Sequence, residues 1–226
     1  MDARTLALAG SAVLFVAVGA LVIHAYRRAF EVLGVDGRVA ELGRSLGGGA
    51  SGPMQWLASR GDGQAGLVVK TSRTGIARVS LWLSRRPAAQ PRLVLRVLHE
   101  YDEPLRTAFF EREVERIVLG RRSWLGRLFG PSTLERETLG ELATALSMST
   151  TAGEALVRAC LGQPEVRTHV QGALDTGFDE LVLYPPLGVE LVASSARASL
   201  VDPGIVGPAL EWLGPLAAAA SRTGHR

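Results

Sequence analysis

The chain is short of the side chains that most chemistry needs. It has one cysteine, Cys160, and one lysine, Lys70, in 226 residues. A lone cysteine excludes an internal disulfide framework and any metal site built from several thiolates. It also fits a reducing compartment. With a single lysine, positive charge rests almost wholly on arginine, which reads as a GC-rich coding sequence rather than a chemical task. Aromatic residues are 6% of the chain and form no array on which bases would stack. The net charge of +3 is too small to argue for nucleic acid.

Recognised catalytic motifs are missing too. There is no G-x-S-x-G elbow, no phosphate-binding Walker loop, no dinucleotide fingerprint after a strand and no H-E-x-x-H. Gly47-Gly48-Gly49 is glycine-rich, but no Lys-Ser/Thr follows it. The densest polar knot, His99-Glu100-Tyr101-Asp102-Glu103, ends a predicted strand, where adjacent side chains point to opposite faces and few of them converge. Cys160 reads as a small core residue, and His169 as part of a partly exposed helix face. No catalytic residue, metal ligand or cofactor site is therefore assigned.

What is present begins at the N-terminus. Thr5–Tyr26 contains no Asp, Glu, Lys or Arg, and His24 is its only ionisable side chain. As a helix it reaches about 33 Å, enough to cross a hydrocarbon core of about 30 Å. Val18-Gly19-Ala20 imitates a signal-peptide cleavage site, but cutting there leaves Leu21-Val22-Ile23 and more apolar sequence at the new terminus. The run is read as a single transmembrane anchor in contact with the lipid bilayer. Only Arg4 precedes it, beside Asp2, whereas Arg27 and Arg28 follow at once, with Arg38 and Arg44 beyond. Basic residues favour the cytoplasmic side, so the C-terminal part is expected there, at the cell membrane.

The whole chain is 47% apolar and 21% charged, a globular composition. Three regions are predicted: an anchor over 1–28, a juxtamembrane helix and Gly-rich linker over 29–62, and an α+β soluble domain over 63–222. Phe30, Leu33, Val39, Leu42 and Leu46 recur at roughly helical spacing, weakened by Gly34, Gly37 and Gly43. Gly47–Pro53 reads as the linker. Arg60-Gly61-Asp62 spells an adhesion tripeptide by chance in an Arg- and Gly-rich chain.

From Gly66 the period changes to two. Leu67–Thr71, Ile76–Ser84 and Arg92–Leu98 read as an antiparallel meander with one buried face. In the second run Ala77, Val79, Leu81 and Leu83 share the core face, and Arg78, Ser80, Trp82 and Ser84 the other. Asp102-Glu103-Pro104 opens a predicted helix closed by Gly120, although Val114, Arg116 and Val118 alternate equally well as a strand. Ser132–Glu135 and Thr151–Glu154 have capping-box spacing. If Thr151 caps a helix, Leu142–Ser149 is a separate element, read as a short strand. The helix after Thr151 is expected to bury Ala155, Leu156, Ala159 and Cys160. Pro164 opens another helix. Glu180–Tyr184 and Gly188–Ala193 read as a hairpin around Pro185-Pro186-Leu187.

Asp202-Pro203 starts the last helix. Pro203–Ala220 is apolar enough to raise a second span. Glu211 near its middle, at about 2.5–3.5 kcal/mol for a buried acid, and two internal prolines argue against one. It is predicted to pack on the domain through Val206, Leu210 and Leu213.

One surface stands out. No acid falls between Asp62 and Glu100, while Lys70, Arg73, Arg78, Arg85, Arg86, Arg92 and Arg96 do. Arg121-Arg122-Ser123-Trp124-Leu125-Gly126-Arg127-Leu128-Phe129 follows as a basic amphipathic stretch. Such segments favour anionic interfaces. The expected membrane- or partner-facing residues are Arg78, Arg85, Arg86, Arg96, Arg121, Arg122 and Trp124. The plainer alternative is a sheet face whose arginines pair with the acids of Glu100–Glu115. The functional expectation is a membrane-anchored, non-catalytic binding or assembly module with an unidentified protein partner. A membrane-bound enzyme of unknown chemistry is the alternative class, and a nucleic-acid-binding domain stands behind both.

Overall fold

Alternating aliphatic residues drive much of the chain after residue 48 into strands, which then have to find partners. The computed structural model describes residues 16–20, 22, 34–52, 54–61, 63–72, 75–85, 115–185, 187–194 and 197–222. Helix α1 (Val35–Leu46) leads into β1 (Gly49–Gly52), β2 (Gln55–Arg60), β3 (Gly63–Ser72) and β4 (Gly75–Arg85). After residue 114 come β5 (Ile117–Arg121), α2 (Trp124–Phe129), α3 (Thr133–Leu139), a 3-10 turn (Gly140–Thr144) and β6 (Leu146–Thr150). The helices α4 (Glu154–Leu161) and α5 (Pro164–Asp175) follow. The chain ends with the hairpin β7 (Glu180–Tyr184) and β8 (Gly188–Ser194), a second 3-10 turn (Ala198–Val201) and α6 (Pro203–Arg222).

The fold is α+β around one eight-stranded sheet, in the order β1-β2-β3-β4-β8-β7-β5-β6. Every neighbouring pair is antiparallel. One register row runs Trp56–Leu67–Leu81–Leu191–Leu181–Leu119 across six strands. These side chains join the main core with Val39 and Leu42 of α1, Val157 of α4, Val170 of α5 and Leu213 of α6. The next row, offset by one residue, points to the opposite face. There Trp82, Val182, Tyr184 and Val192 form a second, smaller cluster. Gly66 lies opposite Trp82, and a Cβ at Gly66 would run into the indole ring. Only glycine allows the ring to lie on that backbone.

Several expected elements stand as read. Pro164 is the first residue of α5. The hairpin of β7 and β8 forms with Tyr184 opposite Gly188. Asp202 Oδ1 accepts from the Gly204 N–H at 2.8 Å, at the start of α6. This helix buries Val206, Leu210 and Leu213 despite Pro208 and Pro215. Ser132 and Glu135 make a full capping box at α3.

Other expectations need correction. Gly47–Pro53 is not a linker throughout, because Gly49–Gly52 pairs with β2. The Trp56 indole N–H donates to the Gly47 carbonyl at 2.9 Å, tying this stretch to the core. β1 to β4 form an antiparallel meander that includes the expected runs Leu67–Thr71 and Ile76–Ser84, and the third expected run, Arg92–Leu98, lies outside the described residues. Over Arg78–Leu83 both edges of β4 are taken, by β3 and by β8. A register shift at Lys70/Thr71 removes Ala77 from the core face, and Ile76 is buried there instead. Ile117–Arg121 is a strand, so Gly120 closes no helix. The N-cap of α4 is Gly153 rather than Thr151, whose hydroxyl accepts from the Arg116 N–H at 3.0 Å. Shifted by this start, α4 buries Val157, Cys160 and Leu161, while Ala155 and Ala159 are exposed. Leu142 belongs to the first 3-10 turn, and the strand starts at Leu146.

The knot His99–Glu103 and the helix start at Asp102 lie outside the described residues. Of Thr5–Tyr26, residues 16–20 and 22 are described; they are helical, and Val16, Val18 and Val22 are exposed. Among the described residues no helix is long and apolar enough to cross a membrane.

Candidate functional site

The last residues of β5 create the molecule's most unusual surface. Ile117 and Leu119 fill the main core, so the strand is firmly seated. The chain leaves it at Arg121, which is exposed, and Arg122, which is buried. The Arg122 side chain turns inward. Its Nε donates to the carbonyls of Ala143 at 3.2 Å and Leu146 at 3.0 Å. Nη1 donates to the carbonyls of Gly126 at 3.5 Å and Gly130 at 3.2 Å. Nη2 donates to Glu135 Oε1 at 2.7 Å. A guanidinium suits this role because it stays charged and spreads several donors in one plane.

Glu135 completes the clamp. Oε1 also accepts from the Met148 N–H at 2.9 Å, and Oε2 from the Ser132 N–H at 2.6 Å. Burial alone would raise its pKa. The hydrogen bonds from the Ser132 and Met148 backbones, from Arg122 and from the Ser132 hydroxyl favour the ionised form, and the net result is a lowered pKa. The pair has a second consequence. β6 is the last strand of the sheet. Arg122 takes the Leu146 carbonyl and Glu135 takes the Met148 N–H, so groups that would template another strand are occupied.

On this base stands α2. Ser123 caps it, accepting from the Gly126 N–H at 3.1 Å. Gly130, at φ 69°, ends it in the left-handed region that favours glycine. The helix buries nothing. Trp124 is 71% exposed, Leu125 50%, Leu128 72% and Phe129 88%. Arg121 and Arg127 are exposed beside them, and no acid occurs from Arg116 to Leu134. Contiguous exposed apolar side chains of this kind mark interaction sites rather than ordinary surface. Each would gain about 1.5–3 kcal/mol on full burial, against about 1 kcal/mol for each arginine near an anionic surface. The apolar groups therefore carry most of the free energy that covering this helix would release.

The other expected surface residues go elsewhere. Arg78 reaches a carboxylate: its Nη2 lies 3.6 Å from Glu190 Oε1, and its Nε donates to Ser80 Oγ at 3.1 Å. Glu190 is 1% exposed and accepts from the Tyr184 hydroxyl at 2.8 Å. Arg78 thus satisfies a buried acid on the second sheet face; of the acids expected to pair with the arginines, Glu100–Glu115, all but Glu115 lie outside the described residues. The Arg85 backbone pairs with Gly63, seven residues along β4 from Arg78, a distance of about 23 Å. Arg86 and Arg96 lie outside the described residues. Of the expected surface residues, Arg121 and Trp124 are exposed at this end of β5, and Arg122 is buried between them in the chain as a support rather than a surface group. Arg127, Leu125, Leu128 and Phe129 complete the patch, and their amphipathic spacing was the signal for them. Glu135 had a signal only as a capping residue.

Elsewhere, a cavity of about 380 Å³ lies between the ends of α1 and β2 and the middle of α6, lined by Leu46, Leu83 and Leu210 with Arg60 and Glu211. Cys160 is buried. His169 packs on Trp212 at 5.6 Å between ring centroids. Among the described residues no group of three or more His, Cys, Asp or Glu converges. Comparison with known proteins finds no family model that matches the sequence, no curated protein with a significant match and no solved structure with a significant match.

Proposed function

We propose that this chain is a membrane-tethered, non-catalytic binding or assembly module. Thr5–Tyr26 serves as a single transmembrane anchor, and the α+β domain docks through α2 on the cytoplasmic side. The observation that carries the reading is the helix itself. A buried ion pair, Arg122–Glu135, and two glycines with a serine cap hold four large apolar side chains out in the open. An unneeded patch of this kind would favour aggregation, so rigid support beneath it speaks for a docking role. The length and flanking charges of Thr5–Tyr26 support the anchor and its orientation.

The test uses the full chain in native membranes. It is expected to resist alkaline extraction, and trypsin is expected to cut slowly after Arg127 because the helix is covered. A Leu128→Asp, Phe129→Asp variant is expected to stay anchored but to be cut faster. Release of the wild-type chain by alkali would contradict the anchor. Equal cutting of the two proteins would contradict docking through α2.

A further inference from the structure

We infer that the occupant of the α2 patch is the bilayer interface itself, so that the domain is seated on the membrane at two points. The inference rests on the tethered-module reading and names the partner of its docking surface.

The first support is where the chain enters the fold. Asp36, in the first turn of α1, accepts from the Met54 N–H at 3.2 Å. The Met54 carbonyl accepts from the Val69 N–H at 3.0 Å. Val69 pairs with Val79, and Val79 with Ala193. On the other half of the sheet, Gly120 pairs with Glu180, and Glu180 with Val192. Arg121 therefore lies on the same register row as Met54. The entry of α1 and the exit to α2 are at one end of the sheet, five strand spacings or about 24 Å apart.

The second support is reach. Residues 27–34 join the anchor to α1. Even fully extended they span at most about 29 Å. The α1 corner at this end of the sheet is thus held within that distance of the bilayer and the α2 corner within about 24 Å more, so a weak apolar contact there acts at high effective concentration.

The third is chemistry. Trp124 and Phe129 flank the helix with Leu125 and Leu128 between them, and Arg121 and Arg127 are the exposed basic residues beside them in the chain. Aromatic and basic side chains together suit the headgroup boundary. Asp36 and Asp202 at this end are engaged, by Met54 and by Arg38 at 3.5 Å. Asp175, Asp179 and Glu180 are exposed, and Glu180 lies opposite Gly120 beside Arg121, so these acids offset part of the arginine charge and the preference for acidic lipid is smaller than the apolar contribution. Insertion of the apolar side chains carries the docking, and the two arginines add selectivity.

The test reconstitutes the full chain in vesicles of brominated phosphatidylcholine, with and without phosphatidylglycerol. Bromine in the acyl chains quenches tryptophan that enters them. The wild type is expected to lose emission that Trp124→Phe does not lose, with the larger loss in acidic vesicles. Trp56 and Trp82 are buried within the domain and act as an internal reference. Equal quenching of wild type and Trp124→Phe would overturn the inference. Equal loss in both vesicle types, unchanged by Arg121→Glu with Arg127→Glu, would overturn the role of the two arginines. Failure of the chain to float with the vesicles would instead refute the anchor. Protection of α2 in native membranes without quenching in pure lipid would overturn the inference in favour of a protein partner and leave the docking reading intact.

Discussion

Two helices of this protein have similar apolar sequences and opposite fates. α6 is twenty residues long, carries two internal prolines and buries eight side chains, Leu213 among them. α2 is six residues long, is well capped and buries none. Apolarity does not decide the outcome. α6 packs on β4, β8 and β7 in the middle of the sheet, and its buried side chains join the core cluster that holds Leu81, Leu181 and Leu191. α2 follows the end of β5 and buries none of its own side chains. What is buried beneath α2 is its support, Arg122 and Glu135. The same kind of side chain holds the fold together in one place and is available for docking in the other.

The comparison is broken most severely by removing that support. Arg122→Ala leaves Glu135 buried without its cation and opens the edge of β6. Losing one partner of a buried pair costs about 3–5 kcal/mol. In a protein of this size that lowers the melting temperature by about 6–20 °C, and calorimetry reads it directly.

A core truncation is next. Leu213→Ala, at a fully buried position of α6, is expected to cost about 2–5 kcal/mol in denaturant unfolding. Phe129→Ala, at a fully solvent-facing position of α2, is expected to stay within about 0.5 kcal/mol of wild type. Equal losses would remove the distinction between the two helices.

Acid sharpens the contrast. The folded-state pKa of Glu135 is below the ordinary value of 4.5. The folded state therefore holds fewer protons on this group than the unfolded state. Its contribution to stability is fully present above 4.5 and is lost as pH falls through the folded value. A Glu135→Gln variant is expected to be less stable than wild type at neutral pH and to lose less on acidification. Parallel acid profiles for the two proteins would contradict the clamp.

The smallest of these effects belongs to the caps. Ser132→Ala removes a side chain that accepts from the Glu135 N–H and is expected to cost about 1 kcal/mol. Thr151→Ala, at a position with the same spacing signal but no helix to cap, removes one hydrogen bond from the Arg116 N–H. That bond is worth about 0.5–1.5 kcal/mol, and circular dichroism is expected to show α4 unchanged.

Thr151 shows where reading the chain reaches its limit. Local signals were legible: the proline at the start of α5, the Asp202 cap of α6, the hairpin of β7 and β8 and the alternation in β4. Each depends on neighbours a few residues apart. The order of strands was not legible, because β4 pairs with β8 from the far end of the chain, and no local period carries that choice. Gly49–Gly52 looks like a linker because its own side chains contribute almost nothing; its strand character comes from backbone pairing with β2 and from α1 beside it. At the candidate site, the amphipathic stretch 121–129 was visible as a surface. That Arg121 faces water and Arg122 a buried carboxylate was not, since the difference is made by Glu135, thirteen residues away. Arg78 was placed on its sheet face correctly, but Glu190, which holds it, lies on another strand.

The central claim is that one end of the sheet touches the bilayer and the other does not. A spin label tests it most directly. Cys160 is the only cysteine and is buried, so an introduced thiol can be labelled selectively. Leu128→Cys places the label on α2, and Ser59→Cys places it on the exposed end of β2 at the opposite end of the sheet. With the full chain in acidic vesicles, collision rates with oxygen and with a water-soluble nickel complex report the depth of each label. The account predicts that the label at 128 meets oxygen and is shielded from nickel, whereas the label at 59 meets nickel freely. Equal access of nickel to both positions would contradict it.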